Sequence, residues 1–456
     1  MNIKKITSIL LAASMLVGAA GCSKPNNGSQ QTSGSKKTVE LTLWHAMGGV
    51  NGEAVKYIVD EFNKKQTDIH VTAQFQGTYD DAINKLKSSM TGKAGPDIAQ
   101  IYDIGSRYMV DSGWVVPMQK FIDEDKKFSK DDIEPTLLGY YTVDNKLQSM
   151  PFNSSTPILY YNKTAFKAAG LDPNKPPKNF QEIAEYSQKL VKKDGSGKVS
   201  QYGFSMAIYG WFFEQLLAKQ GAMYANNANG RTQKATAVEW DKSEAGMNIL
   251  KEWKKLVDSG SVGNFGRKTD DTKNAFTAGR TAMILESTAA LGGLVKGAGD
   301  RFEIGTAYLP ALGTENPNGG VIIGGGSLYA LNNGDETRQK AAWEFIKFAV
   351  SPEQQATWSK TTGYFPVNKK AYDLDVMKKH LETAPQFKTA IDQLHNTKVN
   401  EATRGGLIGV FPEARATIET EIENMLQNKQ TPEQAIQNAA KKVNDAITNY
   451  NKTNTK

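Results

Sequence analysis

The chain has four histidines, at positions 45, 70, 380 and 395. They are scattered, and none stands at the spacing that puts two imidazoles on one helix face for a metal. Asp103 and Glu286 are the one carboxylate pair that suggests glycosidase chemistry, in which one group protonates a leaving oxygen and the other attacks or activates water. Two acids far apart in a long chain carry little weight alone. There is no Gly-x-Ser-x-Gly elbow. There is also no phosphate-binding Gly-x-x-x-x-Gly-Lys-Ser/Thr, since Gly195-Ser-Gly-Lys198 runs on into Val199 and reads as a hairpin turn. Gly324-Gly-Gly326 follows an apolar run but opens no helix, so a dinucleotide site is not expected. No catalytic group, metal or cofactor is expected.

Turns that mix small polar groups with aromatics are frequent. They include Gly77-Thr-Tyr-Asp-Asp81, Phe152-Asn-Ser-Ser-Thr-Pro157, Tyr209-Gly-Trp-Phe-Phe213, Glu286-Ser-Thr288, Ile323-Gly-Gly-Gly-Ser327, Thr362-Gly-Tyr-Phe-Pro366 and Phe411-Pro-Glu-Ala-Arg415. Aromatic faces offer apolar contact to a sugar or a choline-like head. Hydroxyls and backbone N–H groups offer directional bonds to a polyol or phosphate. This is recognition chemistry rather than turnover, although any one such turn can equally be structural.

Alternating strands and helices must position these turns. Val39-Glu-Leu-Thr-Leu-Trp44 alternates apolar and polar residues, as a half-buried strand does. Val55, Ile58, Val59 and Phe62 then fall at helical spacing. Ile69–Phe75 is a second strand, Ala82, Ile83, Leu86 and Met90 mark a second helix, and Ile98–Ile101 is a third strand. The alternation predicts an α/β fold with parallel strands and helices on both faces. Ser351-Pro-Glu-Gln354 and Thr431-Pro-Glu-Gln434 each place a capping residue, a first-turn proline and a glutamine three on, so each predicts a helix start. No repeat and no low-complexity linker follows residue 38, so two lobes must share the chain through several crossings.

The first residues read as a lipoprotein leader. Lys4 and Lys5 precede an apolar run from Ile6 to Ala20, and Leu16-Val-Gly-Ala-Ala-Gly-Cys22 resembles a bacterial lipoprotein box. Residues 1–21 are expected to be a signal peptide. Cys22, the only cysteine, is expected to carry lipid, and residues 22–38 to form a polar tether from the cell membrane. The site of action is then extracytoplasmic, on the outer face of a Gram-positive cell. Of the formal net charge of +7, five positive charges lie in residues 1–37, which hold no Asp or Glu, so the rest carries +2. A body so nearly neutral, with mixed runs such as Lys189-Leu-Val-Lys-Lys-Asp194, argues against a nucleic-acid partner.

From about Val39 onward the chain resembles the family 1 extracellular solute-binding proteins of ABC importers, the class that includes maltose-binding proteins. The resemblance rests on Leu43-Trp-His-Ala-Met47, Pro151-Phe-Asn-Ser-Ser-Thr-Pro-Ile-Leu-Tyr-Tyr-Asn162, Ala168-Ala-Gly-Leu-Asp-Pro173, Gly266-Arg-Lys268, Ile322-Ile-Gly-Gly325 and Lys360-Thr-Thr-Gly-Tyr364. It is strongest to the branch that takes sn-glycerol-3-phosphate and glycerophosphodiesters. It implies a two-lobe clamp, with residues 39–152 plus about 288–330 as lobe 1 and 153–287 plus about 331–456 as lobe 2. Each lobe is expected to be a mostly parallel sheet flanked by helices. The chain is expected to act as a monomer, close on a small ligand and deliver it to the membrane subunits of an ABC permease.

The resemblance also implies a ligand site of Tyr79, Asp103, Ser155, Trp211, Ser287, Gly325, Tyr364 and Arg415. Arg415 would meet phosphate, helped by Ser155, Ser287 and the Gly325 amide. Asp103 would accept from glycerol hydroxyls, and Trp211, Tyr79 and Tyr364 would wall the cleft. Two positions depart from the branch: Asp103 replaces a glutamate, and Ile208 stands where the first of two tryptophans would be. An oligosaccharide-binding protein therefore remains the alternative, and a secreted glycosidase or phosphodiesterase the third reading.

Overall fold

The computed structural model describes residues 37–92, 94–316 and 319–454. Residues 38–456 form one compact unit. Cys22 and the expected signal peptide lie outside the described residues, as does nearly all of the expected tether.

The first third follows the predicted alternation: β1 (Val39–His45), α1 (Gly49–Lys65), β2 (Ile69–Phe75), α2 (Tyr79–Thr91) and β3 (Ile98–Tyr102). In α1 the residues Ala54, Val55, Ile58, Val59 and Phe62 are buried. That spacing makes one apolar stripe, which lies against the sheet. β1 pairs in parallel with β2 (Val39 opposite Ile69) and with β3 (Leu43 opposite Ile98). Two more strands join this sheet, β4 (Val115–Val116) and β5 (Met150–Ser155).

The chain then changes sheet. β6 (Pro157–Asn162) starts after Thr156 and belongs to a second sheet with β7 (Phe204–Met206), β8 (Val262–Gly263), β9 (Met283–Ser287) and β10 (Ile304–Tyr308), in the order β8-β7-β9-β6-β10. β7 is parallel to β8 and β9, whereas β6 is antiparallel to β9 and β10. The chain returns to the first sheet with β11 (Gly324–Leu331), giving the order β2-β1-β3-β11-β4, with β5 also on β11. β11 is antiparallel to all three of its neighbours. Each sheet is thus parallel where strands and helices alternate, and antiparallel around one returning strand.

Helix α4 (Glu244–Asp258) packs on β8 with α3 (Gly210–Lys219) against it, and α5 (Glu336–Ala349) packs on β1 and β11 with α6 (Pro352–Thr362) against α1 and α5. α7 (Phe411–Leu426) and α8 (Pro432–Thr453) pack on each other and against α3 and α4. Sheet membership departs from the expected division of the chain at residues 153–155, which stay with β5 in the first sheet, and at two later segments. β10, at residues 304–308, sits in the second sheet because the free edge of β6 accepts it, with Ile304 opposite Asn162. Residues 336–362 go with the first sheet because α5 buries Ala342, Phe345 and Ile346 against it and α6 packs on α1. Without a linker, edge pairing and apolar stripes set the boundaries, and neither is local in sequence.

Buried amides hold two of the crossings. Gln215 on α3 donates to Ile322 O (2.8 Å) and accepts from Ile322 N (2.9 Å), as a strand neighbour would. Gln393 donates to Pro157 O (2.8 Å) and accepts from Leu309 N (2.6 Å), tying the first crossing to the second. The two predicted helix starts differ. Thr431 and Gln434 form the full capping box. Ser351 makes no side-chain cap, and Gln354 is buried.

Candidate ligand site between the lobes

Gly77-Thr-Tyr-Asp-Asp81 is a helix start rather than a free turn. Thr78 Oγ1 accepts from Asp81 N (3.2 Å) and Asp81 Oδ2 from Thr78 N (2.9 Å). This box fixes Tyr79 in the first turn of α2. Its ring stacks on Tyr102 with centroids 5.1 Å apart. Asn153 Nδ2 donates to the Tyr79 hydroxyl (2.8 Å), and Asn153 Oδ1 accepts from Gln100 Nε2 (2.7 Å). Tyr364 stacks on Trp358 at 5.5 Å. Burial first, and the Tyr364 hydroxyl second, raise the Tyr79 phenol, so the two hydroxyls are neighbours.

Gly324 and Gly325 are fixed by what approaches them. A Cβ on Gly324 would lie 2.3 Å from the Trp211 ring. Gly325 has φ +96°, and a Cβ there would lie 1.8 Å from Asn153 O. Only glycine fits both the left-handed backbone and the contact. Opposite them on β5 are Ser155 and Ser154. Ser287, at the end of β9, pairs with Pro157. Its hydroxyl accepts from Ala289 N (3.2 Å) as a cap, and so keeps its own proton for donation.

Arg415 comes from the first turns of α7 and is only 5 % exposed. Its Nε and Nη2 each donate to the Glu214 carboxylate at 2.8 Å, a planar two-point pair. Nη1 makes only a 3.4 Å contact with the Tyr209 hydroxyl, and the guanidinium lies over the Tyr209 ring. Burial opposes the Arg415 charge, but Glu214 more than offsets it and the pKa stays well above the usual arginine value. Asp103, 4 % exposed, opens a short 3-10 turn after β3, with Oδ2 3.8 Å from Arg415 Nη2. Burial outweighs that attraction and pushes the Asp103 carboxyl up to about 7. Burial likewise raises Glu214 and Glu419, and Glu419 accepts from Gly210 N at the start of α3 (2.8 Å).

Contacts join the predicted residues in smaller groups: Asp103 with Arg415, Tyr79 with Tyr364, and Trp211 against Gly324, which lies opposite Ser155 and beside Gly325. Ser287 stands opposite Pro157, two residues beyond Ser155. Trp211 Nε1 is buried and has no hydrogen-bond partner, and so is Ser154 Oγ. Sequence reasoning missed Glu214 and Asn153. Glu214 carried a signal: it is an acid one helical turn after Trp211, in a segment otherwise apolar from Trp211 to Ala218 apart from Gln215. Asn153 carried none beyond its place in Phe152-Asn-Ser-Ser155. Among the described residues, no group of three or more His, Cys, Asp or Glu is placed to hold a metal, and no helix is long and apolar enough to cross a membrane.

The model of the bacterial extracellular solute-binding proteins matches residues 57–389. The chain belongs to this family. It is 32 % identical over 425 residues to the sn-glycerol-3-phosphate-binding periplasmic protein UgpB of Pectobacterium atrosepticum, covering 92 % of this chain and 94 % of that one. The same identity holds over 421 residues with UgpB of Escherichia coli K12, covering 91 % and 93 %. Among solved structures, UgpB of Mycobacterium tuberculosis in complex with glycerophosphocholine superposes with a TM-score of 0.77 at 23 % identity, covering 91 % of this chain and 99 % of that one. The cyclic alpha-maltosyl-1,6-maltose binding protein of Arthrobacter globiformis gives 0.71 at 24 %, covering 91 % and 100 %. The protein is thus a substrate-binding protein of an ABC importer, with the two-lobe clamp fold of its family. Its relatives are binding proteins rather than enzymes.

Proposed function

We propose that this solute-binding protein captures sn-glycerol-3-phosphate or a glycerophosphodiester between its lobes and delivers it to its permease. The observation that carries the reading is the Arg415 guanidinium. Glu214 uses two of its five N–H groups and holds its plane, which leaves Nη1 and the second Nη2 proton for phosphate oxygens. Trp211 Nε1 and the Ser155 and Ser287 hydroxyls would donate to the same group, and Asp103 would accept from glycerol hydroxyls. Tyr79 and Tyr364 would wall the glycerol end. The relatives named for sn-glycerol-3-phosphate support the assignment. A ligand touching both lobes favours closure by its differential affinity for the closed state.

A neutral oligosaccharide is the second reading, favoured by the matching of Arg415 to Glu214. Calorimetric titration with sn-glycerol-3-phosphate, glycerophosphocholine and maltose-type sugars separates the two. Heat from sugars alone would reject the phosphoglycerol site. The role is binding without turnover, and hydrolysis of glycerophosphocholine at high protein concentration would refute that. Cys22 is proposed as the lipid-bearing residue of a monomer held at the outer face of a Gram-positive membrane. Labelled fatty acid should be incorporated by the wild type and not by Cys22→Ser, and absence of label on the wild type would count against the anchor.

A further inference from the structure

The positive charge of Arg415 is already spoken for. Arg415 is matched by Glu214 at two contacts of 2.8 Å. Two further cations near the site are matched, Lys273 Nζ at 2.7 Å from Asp270 Oδ1 and Arg267 Nη2 at 2.7 Å from Glu423 Oε2, while Arg231, over the Tyr140 ring, donates to the carbonyls of Tyr140, Arg404 and Gly405. Carboxylates are in surplus. Glu214 faces Arg415 and Glu419 from α7, Asp103 from the turn after β3, and the phenols of Tyr140, Tyr209 and Tyr224. Glu286, also buried, has one carboxylate oxygen without a partner.

Two kinds of ligand meet this balance differently. A phosphate monoester carries close to two negative charges near pH 7, because its second pKa is about 6. A phosphodiester carries one. An anion in a buried site must share Arg415 with Glu214, and each further unmatched charge is costly to bury.

We propose that Glu214 is the specificity-determining residue of this site: by matching the charge of Arg415 it admits singly charged glycerophosphodiesters and disfavours the dianion of free glycerol phosphate. The proposal rests on the phosphoglycerol reading above. Glu214 acts through Arg415, so it positions and neutralises rather than touching the ligand.

The test is calorimetry of the protein with glycerophosphoglycerol, a diester without a cationic head, and with sn-glycerol-3-phosphate. At pH 7.5 the diester should bind at least tenfold tighter. Lowering the pH to 5.5 should narrow that ratio by up to about 25-fold, because the monoester regains its second proton while the diester does not change charge. Protonation of Asp103 affects both ligands and largely cancels in the ratio. Glu214→Gln keeps the shape, removes the charge, and should narrow the ratio tenfold or more at pH 7.5. If that variant does not fold, the wild-type pH series decides. Equal affinities at pH 7.5, or a ratio that does not move with pH, would overturn the proposal and leave the phosphoglycerol site standing. Binding of neither ligand would reject that site and the role of Glu214 with it.

Discussion

Asp103→Asn tests the electrostatics of the cleft most directly. The carboxyl is 4 % exposed, and burial, opposed by Arg415 at 3.8 Å, takes its pKa from 3.8 to about 7. An acid that holds its proton more tightly when folded favours folding most below its unfolded pKa. The wild type therefore gives up stability as pH rises from about 4 to about 7, and carries that deficit at higher pH. Three pKa units at ~1.4 kcal/mol each set a ceiling of about 4 kcal/mol, and relaxation of the site lowers the expected figure to about 2–4 kcal/mol. Asparagine has the same shape and no proton to lose. Urea unfolding of both proteins, followed by tryptophan fluorescence at pH 4.5 and pH 8, measures the effect. Every other titrating group is common to the two chains and largely cancels in the difference. About 1 kcal/mol of that is already lost by pH 4.5, so the difference should shift toward the variant by about 2–3 kcal/mol between the two pH values. A difference constant to about 1 kcal/mol would mean that Asp103 is ionised at little cost, and the account of the site would fail.

Arg415→Met should abolish phosphoglycerol binding and destabilise the fold by about 3–5 kcal/mol, because Glu214 is left buried and unpaired. Adding Glu214→Leu should restore most of the stability and none of the binding, which unfolding and titration of the two variants would show. Gly325→Ala should cost at least about 2 kcal/mol by urea unfolding, given a Cβ 1.8 Å from Asn153 O and a φ of +96°. The Tyr450 hydroxyl of α8 donates to Asp111 Oδ2 (3.0 Å), which Arg107 also holds, so the C-terminal helix is tied to the short helix Ser106–Ser112 that follows β3. If that bond forms only on closure, Tyr450→Phe removes about 1 kcal/mol from the closed state and should weaken ligand affinity about fivefold. Unchanged affinity would place the bond in the open form too.

Much of the fold was legible in the sequence because its signals are local. The alternation in Val39–Trp44, the stripe from Val55 to Phe62 and the Thr431 cap each act within one or two turns of chain, and each formed as expected. The family resemblance named eight site residues, among which the fold joins Asp103 to Arg415 and Tyr79 to Tyr364. The lobe boundaries were not legible. β10 joins the second sheet through the edge of β6, and α5 packs on β1 and β11 of the first, although no residue near either segment announces it.

The electrostatic character of the site belongs to the tertiary structure. The sequence set the residue types: one arginine in Phe411–Arg415, one acid after Tyr102, and two glycines where Trp211 and Asn153 approach. It gave no sign that Arg415 and Glu214, which are 201 residues apart, would meet as a two-point pair, or that Asp103 would lie beside them. Charge, hydrogen-bond capacity and side-chain length are properties of a residue. Desolvation and charge balance are properties of an enclosure, and here the enclosure exists only once two sheets and α7 have packed around it.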